Sequence, residues 1–199
     1  MIESIHRYFK IGIVQFMAYP SALKGECPEI ITNIKKIACD DYFDAIEISW
    51  IKDIDTRKKV KSLLQSSKLE VCYGAQPRLL TTGMNANHLV EKERLKAEVN
   101  LKEAVDEAHE MGARGVGFLS GKFQKQTIEE SYSQLLKTTR NVCDYAKSKG
   151  ITINLEVFDF DIAKESLIGP APLAARFAAE MRTTHSNFGL MTHCSCWSS

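Results

Sequence analysis

The chain has 199 residues, a net charge of +1, 44% hydrophobic and 26% charged residues. That length and balance fit one globular domain with a full core, and no basic run points to nucleic acid as a partner. No apolar run approaches the roughly 20 residues of a membrane span, and residues 1–10 are too polar for a secretory signal, so a cytoplasmic protein with no membrane partner is expected.

Short apolar strands alternate with amphipathic helices along the chain. A first strand is predicted over Phe9–Met17, then a loop to Gly25 and a helix opened by Pro28 that puts Ile30, Ile34 and Ile37 on one side. A second strand, Asp44–Trp50, leads into a helix carrying Val60, Leu63 and Leu64. A third, Leu69–Ala75, runs into a long loop broken by Pro77 and Gly83.

A helix from about His88 to Met111 stops at Gly112, and a fourth strand follows at Gly115–Leu119. Thr127 with Glu130 reads as a capping box for the next helix, whose buried stripe includes Tyr132, Leu135, Val142 and Cys143. The fifth strand, Ile151–Asp159, puts Ile153, Leu155 and Val157 on one face and Asn154 and Glu156 on the other. Pro170 and Pro172 flank a helix with Leu173, Ala174, Phe177 and Met181 inward, and a sixth strand covers Asn187–Thr192.

Of six cysteines, Cys27, Cys39, Cys72 and Cys143 stand singly, which predicts reduced, mostly buried thiols rather than a disulfide framework. His193, Cys194 and Cys196 are potential soft ligands, but their spacing is not that of a structural zinc site. His6 and His185 read as surface residues, and His109 as surface or packing.

Repeated strand–helix units imply parallel strands joined by right-handed crossovers. A closed barrel and an open doubly wound sheet both satisfy that rule. Two features favour the barrel. The first strand is not followed by a glycine-rich phosphate turn, and polar residues gather at strand C-terminal ends: Gln15, Glu47, Ser49, Gln76, Ser120 and Glu156. Glu156 stands out, because a carboxylate on an apolar strand needs a partner, catalytic or structural.

Several segments carry a family resemblance: residues 11–20, 43–48 and 117–121, and above all 155–170 with 187–191. In these the chain resembles the xylose isomerase-like TIM barrel superfamily, in its sugar phosphate isomerase/epimerase branch. The resemblance implies an α/β TIM barrel over 1–192, with an irregular tail at 193–199. It further implies a divalent metal (Mn²⁺, Mg²⁺ or Zn²⁺) at the barrel mouth and proton transfer on a small sugar-like substrate through an enediolate. Carried over residue by residue, Glu156 matches the ligand and acid–base position of strand five. Glu47 matches the family's inward carboxylate of strand two, with a structural ion pair as its alternative. Gln76, Ser120 and Lys164 are substrate-side candidates, against a turn or cap role for Ser120 and a solvated loop for Lys164. His193 stands where the family has the strand-six aspartate ligand.

The pattern ends after about six of the eight strand–helix units a full barrel contains. A barrel cut short is therefore expected, with impaired catalysis and self-association through unpaired sheet edges. An inactive or partner-dependent remnant is the alternative reading. An abasic-site endonuclease and a keto-inositol dehydratase remain neighbours within the same superfamily.

Overall fold

The computed structural model describes residues 4–192. Six strands make one parallel sheet: β1 (Gly12–Val14), β2 (Ala45–Ile48), β3 (Glu70–Gly74), β4 (Gly115–Leu119), β5 (Thr152–Val157) and β6 (Phe188–Thr192). Their spatial order is β1-β2-β3-β4-β5-β6, each strand beside its neighbour in sequence. A doubly wound sheet reverses its order partway, so this unbroken progression is the barrel arrangement, six units long.

Among the described residues seven α-helices connect and flank the strands: α1 (Gln15–Ala18), α2 (Ile30–Ala38), α3 (Ile54–Ser66), α4 (Gln76–Thr82), α5 (Glu91–Glu110), α6 (Ile128–Lys147) and α7 (Ala171–Arg182). The core lies between them and the outer face of the sheet. Ile46, Ile48, Phe118, Ile153 and Leu155 are fully buried there against residues such as Ile34, Val60, Leu101, Leu135 and Phe177. The inner face is different. It carries Ala45, Glu47, Cys72, Gly74, Gly117, Asn154, Glu156, Gly189 and Met191, few of them large and apolar.

Four local expectations are corrected. β1 is only three residues long, because the chain turns into α1 at Gln15. The loop expected after β3 is helix α4. Its proline sits in the first turn, where no intrahelical N–H is needed, and Gly83 ends it in the left-handed conformation (φ 68°). The two residues that look like breakers are its start and its stop.

The capping box at Thr127 does not form either. A short 3₁₀ turn at Lys125–Thr127 leaves Thr127 outside the extended conformation, and its hydroxyl meets Gln124 and Ser131 instead of an N-terminal amide. His185 is buried rather than on the surface, held by the Thr184 hydroxyl at 2.7 Å and by Asp144 at 3.2 Å. Among the described cysteines, Cys27 and Cys143 are buried and Cys39 and Cys72 exposed, all as free thiols.

A polar clamp joins α5 to α6. Arg94, fully buried, donates to Glu98 and to the Thr138 hydroxyl, each at 2.7 Å, and to Glu91 at 2.8 Å. Glu98, also buried, accepts further bonds from Lys102 and Asn141. Each buried charge therefore meets an opposite charge and neutral donors or acceptors, which such burial requires.

Candidate active site

The strands deliver their polar residues to one rim. Glu156, next to last in β5, lies in register with Leu119 of β4 and Met191 of β6. Its side chain is buried, and its Oε2 accepts a 2.7 Å bond from the amide Nε2 of Gln76. Gln76 is positioned by the first turn of α4, directly after β3. The helix that the Pro–Gly pair conceals thus carries the partner of the strand-five carboxylate.

Glu47 of β2 is the second acidic group. Burial, reinforced by the nearby charge of Glu156, pushes its carboxyl up to about 7. Near neutrality it is partly protonated and can both give and take a proton. Gly74 of β3 makes room for this arrangement. A methyl group there would lie 2.5 Å from Oε1 of Glu47, 2.7 Å from Oε1 of Gln76 and 2.8 Å from Cε1 of Phe16. Oε1 of Gln76 is itself buried without a hydrogen-bond partner, as are both amide atoms of Gln15. Unsatisfied buried polar atoms at a rim invite a polar ligand.

The other candidates have different roles. The Ser120 hydroxyl accepts a 2.9 Å bond from the Ile168 amide, anchoring the loop that follows β5. Ser49, at the end of β2, likewise spends its hydroxyl on the Gly74 carbonyl at 2.7 Å. Lys164 lies within the β5 loop, where its backbone amide donates to Asp159 at 2.9 Å. Burial raises the Asp159 carboxyl, but bonds from the amides of Ala163, Lys164, Glu165 and Ile162 outweigh that and hold it below its ordinary range. His193 and the tail 193–199 lie outside the described residues.

Sequence reasoning missed Gly74 and Phe16. A glycine inside a strand pattern is the signal for a close approach, and Gly74 is one. Phe16 carries no such mark. Among the described residues no three of His, Cys, Asp and Glu converge. Glu47 and Glu156 by themselves do not fit a divalent metal site of three or four ligands, and no step below is routed through a metal.

Against known proteins, a model of the family described as "xylose isomerase-like TIM barrel" matches residues 38–191. No curated protein sequence matches. Among solved structures, D-psicose 3-epimerase from Clostridium cellulolyticum H10, in a structure with D-tagatose, superposes with a TM-score of 0.72 at 18% identity, over 92% of this chain and 63% of that one. An L-ribulose 3-epimerase gives 0.71 at 17% identity, over 92% and 60%. A family 2 AP endonuclease from Brucella melitensis gives 0.69 at 15%, over 92% and 68%. The chain thus spans less than two thirds of either epimerase, and at such identities the likeness is one of fold.

Proposed function

The chain belongs to the xylose isomerase-like TIM barrel family, and from that premise we propose a sugar isomerase or epimerase site acting on a carbon-bound proton. The substrate class is a small ketose or its phosphate. One observation carries the reading: two carboxyl groups from β2 and β5 come within electrostatic reach at the strand ends, one of them tuned to about 7. Glu156 removes the proton beside a carbonyl, held in place by the Gln76 amide. Glu47, part acid and part base near neutrality, serves the enediolate oxygen or returns a proton to carbon. Ser120 shapes the mouth by holding the β5 loop, and Lys164 on that loop is assigned the anionic end of a sugar phosphate.

The family's divalent ion would supply polarisation of the carbonyl, but Glu47 and Glu156 do not fit a site for it among the described residues. Full turnover by these 199 residues is accordingly expected to be slight. The half-reaction, exchange of the carbon-bound proton, needs only Glu156 as base and Glu47 to meet the enediolate oxygen. A panel of ketoses incubated in deuterated water should gain one deuterium at carbon, read by mass spectrometry. Glu156→Gln should lower that exchange by about 10²–10⁴-fold. No exchange by the wild-type protein, or equal exchange by the variant, would refute the assignment and favour an inactive remnant.

A further inference from the structure

A buried charge cluster that the proposed chemistry does not use joins α3, α4 and α5. At its centre is Glu107 of α5, buried, whose Oε1 accepts a 2.6 Å bond from the Ile51 amide. Its Oε2 faces Nη2 of Arg78 at 3.4 Å and Nη2 of Arg57 at 3.5 Å. Arg57 also donates to the Ile51 carbonyl at 2.7 Å. Both main-chain groups of Ile51, three residues past the end of β2, are therefore held by side chains.

Arg78 belongs to α4, two residues past Gln76, and is buried as well. Besides facing Glu107 it donates from Nη1 to the Asn100 carbonyl at 3.0 Å, and its guanidinium lies 5.3 Å from the centre of the Trp50 ring. Trp50 is itself fixed by a 2.9 Å bond from its indole N–H to the Leu23 carbonyl. One planar fork thus ties α4 both to α5 and to the segment that leaves β2, the strand of Glu47.

The position of this tie gives it a bearing on the site. The Ala75 amide donates to the Gly117 carbonyl at 2.7 Å, which joins the start of α4 to β4 as a pivot. Gln76 stands at that pivot, and the Arg78 contacts, just beyond it, fix the angle of the helix. The 2.7 Å bond from Gln76 to Glu156 depends on that angle, because a hydrogen bond weakens steeply with lost distance and alignment. We infer that Arg78 is a positioning residue for the carboxyl pair: anchored on Glu107, Asn100 and Trp50, it sets the angle of α4 at which Gln76 meets Glu156. The inference rests on the sugar isomerase or epimerase reading for its chemical meaning, but its first readout needs no sugar.

The test follows the Gln76 side-chain amide by NMR, its signal assigned by its loss in Gln76→Leu, with circular dichroism to confirm folding. Held on a buried carboxylate, this amide should exchange its protons with water slowly in the wild type. Arg78→Met removes the fork and its charge. Arg78→Lys keeps a cation beside Glu107 but cannot reach Asn100 at the same time, so it carries the test if Arg78→Met does not fold. Both should speed the exchange about tenfold or more, while Arg94→Ala, which weakens the α5–α6 clamp, should leave it unmoved. Arg78 variants that exchange like wild type would overturn the inference. So would equal acceleration by Arg94→Ala, or a wild-type amide that exchanges as freely as an exposed one. Deuterium uptake by a ketose is the second readout, and both Arg78 variants should lose about tenfold or more at saturating sugar. Uptake unchanged in them would also overturn it. A wild type that takes up no deuterium would sink the sugar reading alone and leave the amide result to decide the role of Arg78.

Discussion

Replacing Glu47 by glutamine tests whether its carboxyl is held in an unfavourable setting. In the unfolded chain this group ionises near 4.5, and in the folded protein at about 7. Below 4.5 it is protonated in both states and contributes nothing to the pH dependence. As pH rises from there, only the unfolded chain releases the proton, so stability falls until the folded group ionises as well. Each pH unit of that window costs about 1.4 kcal/mol, and with allowance for water reaching the half-buried residue the total is roughly 2–3 kcal/mol. Glutamine keeps the shape and cannot ionise. Urea unfolding should therefore show Glu47→Gln matching wild type at about pH 4 and exceeding it by about 2–3 kcal/mol at about pH 8. A stability difference that stays constant between the two conditions would refute the tuning of Glu47, whatever its sign.

Two further substitutions probe the packing that supports the site. Gly74→Ala puts a methyl group 2.5 Å from the Glu47 carboxyl and 2.8 Å from the Phe16 ring, and should cost about 1–3 kcal/mol in urea unfolding. A neutral result would mean those side chains yield freely. Arg94→Ala strips Glu98 of its buried cation, leaving Lys102 and Asn141, and should cost about 3 kcal/mol or more in a thermal or urea melt. A loss under about 0.5 kcal/mol, the scale of an ordinary surface change, would show that the clamp is not needed.

Strand order and helix faces were legible because periodicity reports burial directly: Ile153 and Leu155 face the helices, and Asn154 and Glu156 face the hollow. The end of β1 was not legible. Its apolar alternation continues through Phe16 although the backbone has already turned into α1. Helix α4 was hidden because proline and glycine are breakers in mid-helix but punctuation at its ends. Glu156 was identifiable as a strand-end carboxylate, and Gln76 was placed near it. Their 2.7 Å bond, and the crowding of Glu47 and Gln76 against Gly74, depend on three separate strands meeting, which no local pattern encodes.

The glycines of the inner wall have a consequence for discrimination. At 74, 117 and 189 the inner wall has no side chain of its own, and the Glu47 carboxyl, the Met191 methyl and the Asn154 amide respectively lean over the main chain. Peptide groups there are already engaged in the sheet ladder, so they offer a visiting molecule contour but few free donors or acceptors. A guest would be sorted first by bulk, and only afterwards by the few polar heads waiting above it. Adding a single methyl on that floor at 117 or 189 would then change which carbon skeletons settle, whereas one at 74 would crowd the Glu47 carboxyl itself.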